Sequence, residues 1–162
     1  MLRDVSDDEL GTLRRWRNHP EVRLASFTTH EIGEDEHRRW WSSVRSDPSR
    51  RVLVYEHRAT AAGVVAFTGL GGPEAWWGFY LDVEGLDARG QLMPAWIGLE
   101  KAAIAYAFGS LDLDVLRGEV LASNEAVLQL HRRCGFTETD RYAREIDGED
   151  QAVVRLALRR DA

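Results

Sequence analysis

The chain has 162 residues, of which 44% are hydrophobic and 30% charged, a composition that excludes a disordered chain and fits one globular domain over residues 1–162. The formal net charge is −6, which argues against nucleic acid as a partner because phosphate binding needs a basic surface. Cys134 is the only cysteine, so an internal disulfide is excluded. No signal peptide or membrane-spanning stretch is recognisable, and we therefore expect a cytoplasmic protein that does not associate with membranes.

The first third of the sequence predicts two helices. Ser6 and Glu9 have the spacing of a capping box, so a helix should follow them and end at Pro20. A second helix is predicted over residues 34–44, where aromatic and aliphatic side chains recur on one side.

The rest of the chain predicts strands that alternate with helices. The predicted elements are strands over 51–56, 61–70 and 75–82, a loop over 83–91, a helix over 95–108, a strand over 113–122, a helix from 124 to 135, and a hairpin of strands over 141–146 and 152–158. With a further strand before the first helix, the order is β-α-α-β-β-β-α-β-α-β-β. This order predicts an α/β protein with a mixed sheet and helices on its faces.

The most specific pattern covers residues 124–136, a capped helix that follows a buried strand and ends in Gly-Phe. It resembles the last helix of the GNAT N-acetyltransferases, which runs Asn, small residues, Leu, Tyr or His, a basic residue and Gly-Phe. The resemblance implies the GNAT fold, a central mixed, mostly antiparallel sheet with helices on both faces and a strand splay that holds acetyl-CoA. It also implies that Asn124 contacts the cofactor and that His131 protonates the departing thiolate as general acid. The alternative for His131 is a structural histidine on an apolar helix face.

The segment that should bind the CoA pyrophosphate departs from the GNAT pattern. In that family, a Gln or Arg and two glycine positions open the long helix, and their N–H groups bind the phosphates. Here Pro94 has no N–H, and Trp96 should block a close approach. The candidate cofactor contacts are Arg89, Gly90 and Gln91, which precede this helix and could supply part of a phosphate site, and Ala95 within it. A different acyl donor, such as a carrier-protein thioester, and a binding protein without catalysis both stay open.

A third pattern, Trp-Arg-Asn-His-Pro-Glu-Val, covers residues 16–22, and Glu-His follows on the second helix. Together with residues 63–68, 78–80 and 106–108, it resembles the N-acetyltransferases that act on UDP-linked 4-amino sugars in the pseudaminic acid pathway. The resemblance implies an acceptor pocket that contains Arg17, His37, Thr68 and Tyr80. Trp76 joins them because it shares a strand face with Tyr80. The basic residue that usually follows the Thr is Gly69 here, which removes one donor for the diphosphate.

Attack by an amine also requires a base. Glu119 resembles a carboxylate of the sugar enzymes and is the candidate, while a surface Glu119 paired with Arg117 or with a neighbouring strand is the alternative. Likewise, Arg17 could be a helix-end arginine and His37 a surface histidine. Cys134 lies at a helix C-terminus, which raises the pKa of a thiol, so no covalent nucleophile is expected. No His, Cys and Asp spacing predicts a metal site.

The sequence therefore predicts an N-acetyltransferase that moves an acetyl group from acetyl-CoA to the amine of a small acceptor. The resemblance favours an amino sugar, in particular a nucleotide-linked one. A protein N-terminus or an aminoglycoside-type antibiotic is the alternative acceptor, and the acidic net charge suits a cationic one. A homodimer is compatible with this prediction.

Overall fold

The computed structural model describes residues 1–161 and is built around one seven-stranded sheet. Its strands are β1 (Leu2–Asp4), β2 (Arg51–His57), β3 (Thr60–Thr68), β4 (Glu74–Leu81), β5 (Val115–Leu121), β6 (Thr137–Ile146) and β7 (Glu149–Arg159). Their order across the sheet is β1-β2-β3-β4-β5-β7-β6, and every neighbouring pair is antiparallel except β4 and β5, which are parallel. The predicted mixed, mostly antiparallel sheet is confirmed.

Helices cover both faces of the sheet, as predicted. They are α1 (Leu10–Arg17), α2 (Pro20–Leu24), α3 (Glu34–Arg45), α4 (Val83–Ala88), α5 (Leu92–Phe108) and α6 (Glu125–Arg133). Successive side chains of a strand point to opposite faces. On β2, Val54 packs in a cluster with Leu13 of α1, and Leu53 packs in a cluster with Leu99 of α5. Within residues 1–161, no helix combines the length and the apolar character needed to cross a membrane.

Two segments that were predicted as breaks or loops are helical. Pro20 begins α2 instead of only ending α1, because a proline in the first turn of a helix gives up no hydrogen bond. The predicted loop over 83–91 begins with α4, since the carboxylate of Asp82 accepts the N–H of Gly85 at 3.0 Å and caps the helix. The second difference changes the environment of the residues assigned to the cofactor, as described below.

The N-terminal capping box and the C-terminal hairpin form as predicted, but the first strand of the hairpin is longer than predicted. The Glu9 carboxylate accepts the Ser6 N–H at 2.7 Å, as a capping box requires. β6 begins at Thr137 rather than at 141 and is exposed along most of its length. As an edge strand, β6 pairs only with β7 and carries few apolar residues, so its first half has no alternating hydrophobic pattern.

Candidate active site

The parallel strands β4 and β5 separate in the middle of the sheet. They pair from Glu74 opposite Val115 to Trp77 opposite Gly118, and beyond this point β4 follows only β3 while β5 follows only β7. In the described part of the chain, the backbone groups that face each other across the gap therefore have no strand partner. This gap is the predicted strand splay.

A cavity of about 460 Å³ lies at the splay, a size that suits a small ligand. Consecutive residues of β4, from 77 to 81, and two residues of β5 form part of its wall. The predicted site residues that line it are Arg17, Tyr80, Glu119, Asn124 and His131. The cavity therefore joins both predicted catalytic residues and two predicted acceptor residues in one place.

His131 lies in the cavity wall with 3% of its surface exposed. Its Nδ1 is 2.7 Å from Oε1 of Glu100, a residue of α5 that is fully buried. The rings of Trp77, Phe79 and Phe136 surround the imidazole, with centroids at 5.3, 6.3 and 5.1 Å. Because Nδ1 binds Glu100, Nε2 is the ring nitrogen that can reach a ligand.

Sequence reasoning missed Glu100. It belongs to the buried side of α5, with Leu99 and Ala103, so it is a charged residue in an apolar position. A charged residue at an apolar position of a helix is a signal in itself, since a buried charge is costly without a partner. Applied to α5, it would have marked Glu100 as a residue that needs a buried partner.

Glu119 on β5 also lines the cavity, and the hydroxyl of Tyr142 donates a hydrogen bond to its Oε2. The Arg155 guanidinium lies over the Tyr142 ring, 4.3 Å from its centroid. Of the two predicted alternative partners, Arg117 is bound to Glu74 at 3.0 Å, whereas a partner from another strand is present in Tyr142. Glu119 is thus a cavity carboxylate oriented by a donor from another strand.

Arg17, at the end of α1, and Tyr80, on β4, lie together in the cavity wall. Nη2 of Arg17 donates to the Thr28 carbonyl at 3.0 Å, whereas Nη1 is buried without a hydrogen-bond partner among residues 1–161. Burial lowers the pKa of the Arg17 guanidinium and raises the pKa of the Tyr80 hydroxyl. An arginine keeps its charge at neutral pH, so the wall presents a cation with a free donor.

His37 is not among the residues that line the cavity. It is 5% exposed, and its ring packs on Trp40 with centroids 5.0 Å apart. Burial lowers the pKa of the His37 imidazole, and the charges of Arg14 and Arg17 lower it further. His37 is therefore a buried histidine that favours the neutral form, which corrects both the pocket assignment and the surface alternative.

Thr68 and Trp76 also lie outside the cavity, opposite each other on β3 and β4, before the strands splay. Strand alternation places Trp76 on one face with Tyr80, and Trp77 and Phe79 on the other. In the structure Trp77 and Phe79 line the cavity as well. The reason is that β4 and β5 separate after Trp77, so residues from both faces of β4 border the gap from this point on.

The residues assigned to the cofactor have backbone groups that are already bonded. The N–H groups of Arg89, Gly90 and Gln91 donate to carbonyls of α4 at 2.8–3.3 Å. Ala95 is fully buried, and its N–H donates to the Gln91 carbonyl at 3.0 Å. The structure therefore corrects the assignment of these backbone groups to the pyrophosphate, because α4 formed where a loop was predicted.

Other groups next to the cavity are free to bind a ligand. Leu92 and Met93 occupy the first turn of α5, where N–H groups have no acceptor within the helix, and Leu92 lines the cavity. Pro94 belongs to the same turn, so its missing N–H breaks no bond. Trp96 lines the cavity instead of blocking it, and its indole N–H is buried without a partner within residues 1–161. Asn124 lines the cavity and caps α6.

Comparison with known proteins finds similarity to acetyltransferases, both in sequence and in structure. A family model described as acetyltransferase (GNAT) domain matches residues 1–137. The acetyltransferase PseH of Campylobacter jejuni is 26% identical over 137 residues, which cover 85% of this chain and 82% of the relative. Among solved structures, spermidine N-acetyltransferase from Vibrio cholerae in complex with CoA and spermine has a TM-score of 0.85 at 21% identity, covering 99% of this chain and 95% of that chain. Campylobacter jejuni PseH in complex with acetyl coenzyme A has a TM-score of 0.70 at 20% identity, covering 99% of both chains.

Proposed function

The chain belongs to the GNAT acetyltransferase family, and on this premise we propose that it moves an acetyl group from acetyl-CoA to an amine on a small, oxygen-bearing acceptor such as a nucleotide-linked amino sugar. One observation carries the proposal: His131 and Glu119 line the same cavity at the β4–β5 splay. Direct transfer of an acyl group to an amine uses an acid and a base at one site, and this cavity offers both.

The groups around the cavity suit acetyl-CoA as the donor. The unpaired backbone of β4 offers hydrogen bonds to the amides of a pantetheine arm, and the buried N–H of Trp96 offers another to a carbonyl. The free N–H groups of Leu92 and Met93 and the dipole of α5 attract phosphate oxygens. These groups replace the glycine positions that the donor segment lacks.

The proposed reaction starts with the neutral amine of the acceptor. Its nitrogen attacks the thioester carbonyl carbon, the C–N bond forms, and Glu119 accepts the proton that this nitrogen loses. The C–S bond then breaks, and Nε2 of His131 donates a proton to the departing thiolate. The products are the N-acetyl compound and CoA, and both side chains regain their starting protonation by exchange with water.

The acceptor class is inferred from Arg17. A buried cationic donor without a partner is unfavourable, so the unpaired Nη1 supports a ligand oxygen at this point of the wall. A hydroxyl, carboxylate or phosphate group fits this position, and the adjacent Tyr80 offers a second polar contact. Of the four residues that the amino-sugar resemblance implied, Arg17 and Tyr80 line the cavity, which supports the sugar more than the whole nucleotide.

A polyamine is the second candidate acceptor. The carboxylates of Glu21 and Glu119 line the cavity and would attract a cationic amine, and the similar enzyme from Vibrio cholerae is a spermidine N-acetyltransferase. Arg17 opposes this candidate because it would repel the additional ammonium groups of a polyamine.

The test is amine-dependent release of CoA from acetyl-CoA with four acceptors: a UDP-linked 4-amino sugar, spermidine, an aminoglycoside and a peptide with a free N-terminus. We expect kcat/KM for the amino sugar to exceed the others by about tenfold or more. A preference for spermidine would make a polyamine the acceptor and would leave the proposed acyl transfer unchanged. Absence of CoA release with every amine, together with absence of acetyl-CoA binding by calorimetry, would overturn the proposal.

A further inference from the structure

We propose that Glu100 is a positioning residue that fixes the tautomer and the orientation of His131, so that Nε2 faces the thioester sulfur. The inference rests on the proposed function, in which His131 is the general acid. Glu100 does not line the cavity and acts only through the imidazole.

The contact between the two side chains sets the position of the ring proton. A carboxylate only accepts hydrogen bonds, so Nδ1 of His131 must carry hydrogen to bind Oε1 of Glu100 at 2.7 Å. Nε2 is then the nitrogen that gains and loses a proton during turnover. The fully buried carboxylate also compensates the charge of an imidazolium, which is the form that a general acid needs.

The surroundings make Glu100 the group that controls this ring. β4 presents the aromatic rings of Trp77 and Phe79 to the imidazole. Cys134, the residue that caps the C-terminus of α6, lies near Glu100, and burial together with the charge of Glu100 and a hydrogen bond to it raises the pKa of its thiol to about 11, so it stays neutral. Oε1 of Glu100 is hydrogen-bonded to the imidazole, and the Cys134 thiol is a second polar neighbour of this buried carboxylate.

The position of Glu100 in α5 connects the acid to the donor site. The first turn of the same helix, at Leu92 and Met93, holds the free N–H groups proposed to bind phosphate. Glu100 follows about two turns later in the helix, at 3.6 residues per turn. One rigid helix therefore bears the groups that would place the donor and the carboxylate that orients the acid.

Glu100→Gln is the first variant that tests this role. Its amide keeps the shape of the side chain and can present an NH₂ group to Nδ1, which selects the wrong tautomer. We expect kcat to fall by about 10- to 100-fold, while KM for acetyl-CoA changes by less than about twofold. Glu149→Gln, an exposed carboxylate on β7, is the matched control and should keep kcat unchanged.

A double-mutant cycle separates positioning from a structural role. In a His131→Tyr background, the acid has no tautomer to set, so adding Glu100→Gln should change kcat by less than about twofold. An equal loss in both backgrounds, or an unchanged kcat in folded Glu100→Gln protein, overturns the proposal. If Glu100→Gln does not fold, Glu100→Asp replaces it in the cycle, because it keeps the charge and shortens the reach.

Nitrogen NMR of the imidazole provides a readout that needs no turnover. We expect hydrogen on Nδ1 of His131 in the wild-type protein and a changed tautomer in Glu100→Gln. A wild-type ring with an unprotonated Nδ1 overturns the positioning role. If instead the NMR result is as expected but no amine yields CoA, the proposed acyl transfer is the part that fails.

Discussion

Tyr142 on β6 donates a hydrogen bond to the carboxylate of Glu119 on β5, although β7 lies between these two strands. The contact is made across the face of the sheet and connects the candidate base to the C-terminal hairpin. The tip of that hairpin also contacts the segment that follows α2, because the Thr29 hydroxyl donates to the Asp147 carboxylate at 2.7 Å. The hairpin therefore contacts both the candidate base and the chain between α2 and α3.

The first prediction concerns the base. Glu119→Gln removes the proton acceptor and should lower kcat by about 100-fold or more. Tyr142→Phe removes only the orienting hydrogen bond to a charged group, worth about 1.5 kcal/mol, and should lower kcat by about tenfold. Steady-state CoA release measures both effects. Tyr106→Phe, whose ring stacks on Phe67 in the core, is the control, and an unchanged kcat in Glu119→Gln would remove Glu119 from the mechanism.

The second prediction concerns recognition of the acceptor. Arg17→Gln removes the charged donor and should raise KM for the acceptor by about 10- to 100-fold, the value of a hydrogen bond to a charged group. KM for acetyl-CoA should stay within about twofold. Arg15→Gln is the matched control, since Arg15 is exposed on the same helix. Equal acceptor KM values in the two variants would show that Arg17 does not contact the acceptor.

The third prediction concerns stability and pH. Burial lowers the pKa of His37 below the value of 6.5 that applies to the unfolded chain, so the unfolded state takes up a proton more readily. The neutral His37 therefore stabilises the folded state at pH values above this pKa. As the pH falls below it, the free energy of unfolding decreases, by up to about 1.4 kcal/mol at one pH unit below.

Urea unfolding of wild type and His37→Gln at about pH 7.5 and about pH 5.5 measures this contribution. The wild type should lose more unfolding free energy on acidification than the variant does. Equal losses in the two proteins would mean that His37 is protonated as easily in the folded state as in the unfolded one.

The fourth prediction concerns Cys134. Burial, followed by the charge of Glu100, raises the pKa of its thiol from 9.0 to about 11. At about pH 8 the thiolate fraction falls by about 100-fold, so alkylation by iodoacetamide should slow by the same factor. The same protein in urea is the control and should react at the rate of an ordinary thiol. Equal rates in the folded and unfolded protein would contradict the burial of this group.

Local patterns in the sequence were sufficient for most of the fold. The cap at Asn124 and the Gly135-Phe136 ending located α6, and the segment 95–108 located most of α5, since both signals depend on neighbours in the chain. α4 was missed because its cap at Asp82 stabilises a short helix in a sequence rich in Gly and Asp. The carbonyl groups of that helix accept the N–H groups that were expected to bind phosphate.

The cavity itself depends on contacts between distant segments. Glu100 and His131 are 31 residues apart, and Tyr142 and Glu119 are 23 residues apart. A periodic pattern or a motif concerns residues that are neighbours on one helix or strand. It therefore identified His131 and Glu119 as candidates, but not their partners Glu100 and Tyr142, which belong to other elements. Strand alternation gives the face of Trp76 but not its position along the strand: Trp76 pairs with Thr68 and Arg117, before β4 and β5 separate, and therefore lies outside the cavity.

The most direct test of the central claim is a crystal structure of the protein grown with acetyl-CoA. The account predicts the pantetheine arm between β4 and β5, phosphate oxygens at the first turn of α5, and the thioester sulfur within about 4 Å of Nε2 of His131. Acetyl-CoA bound elsewhere, or its sulfur turned away from His131, would contradict the proposed site.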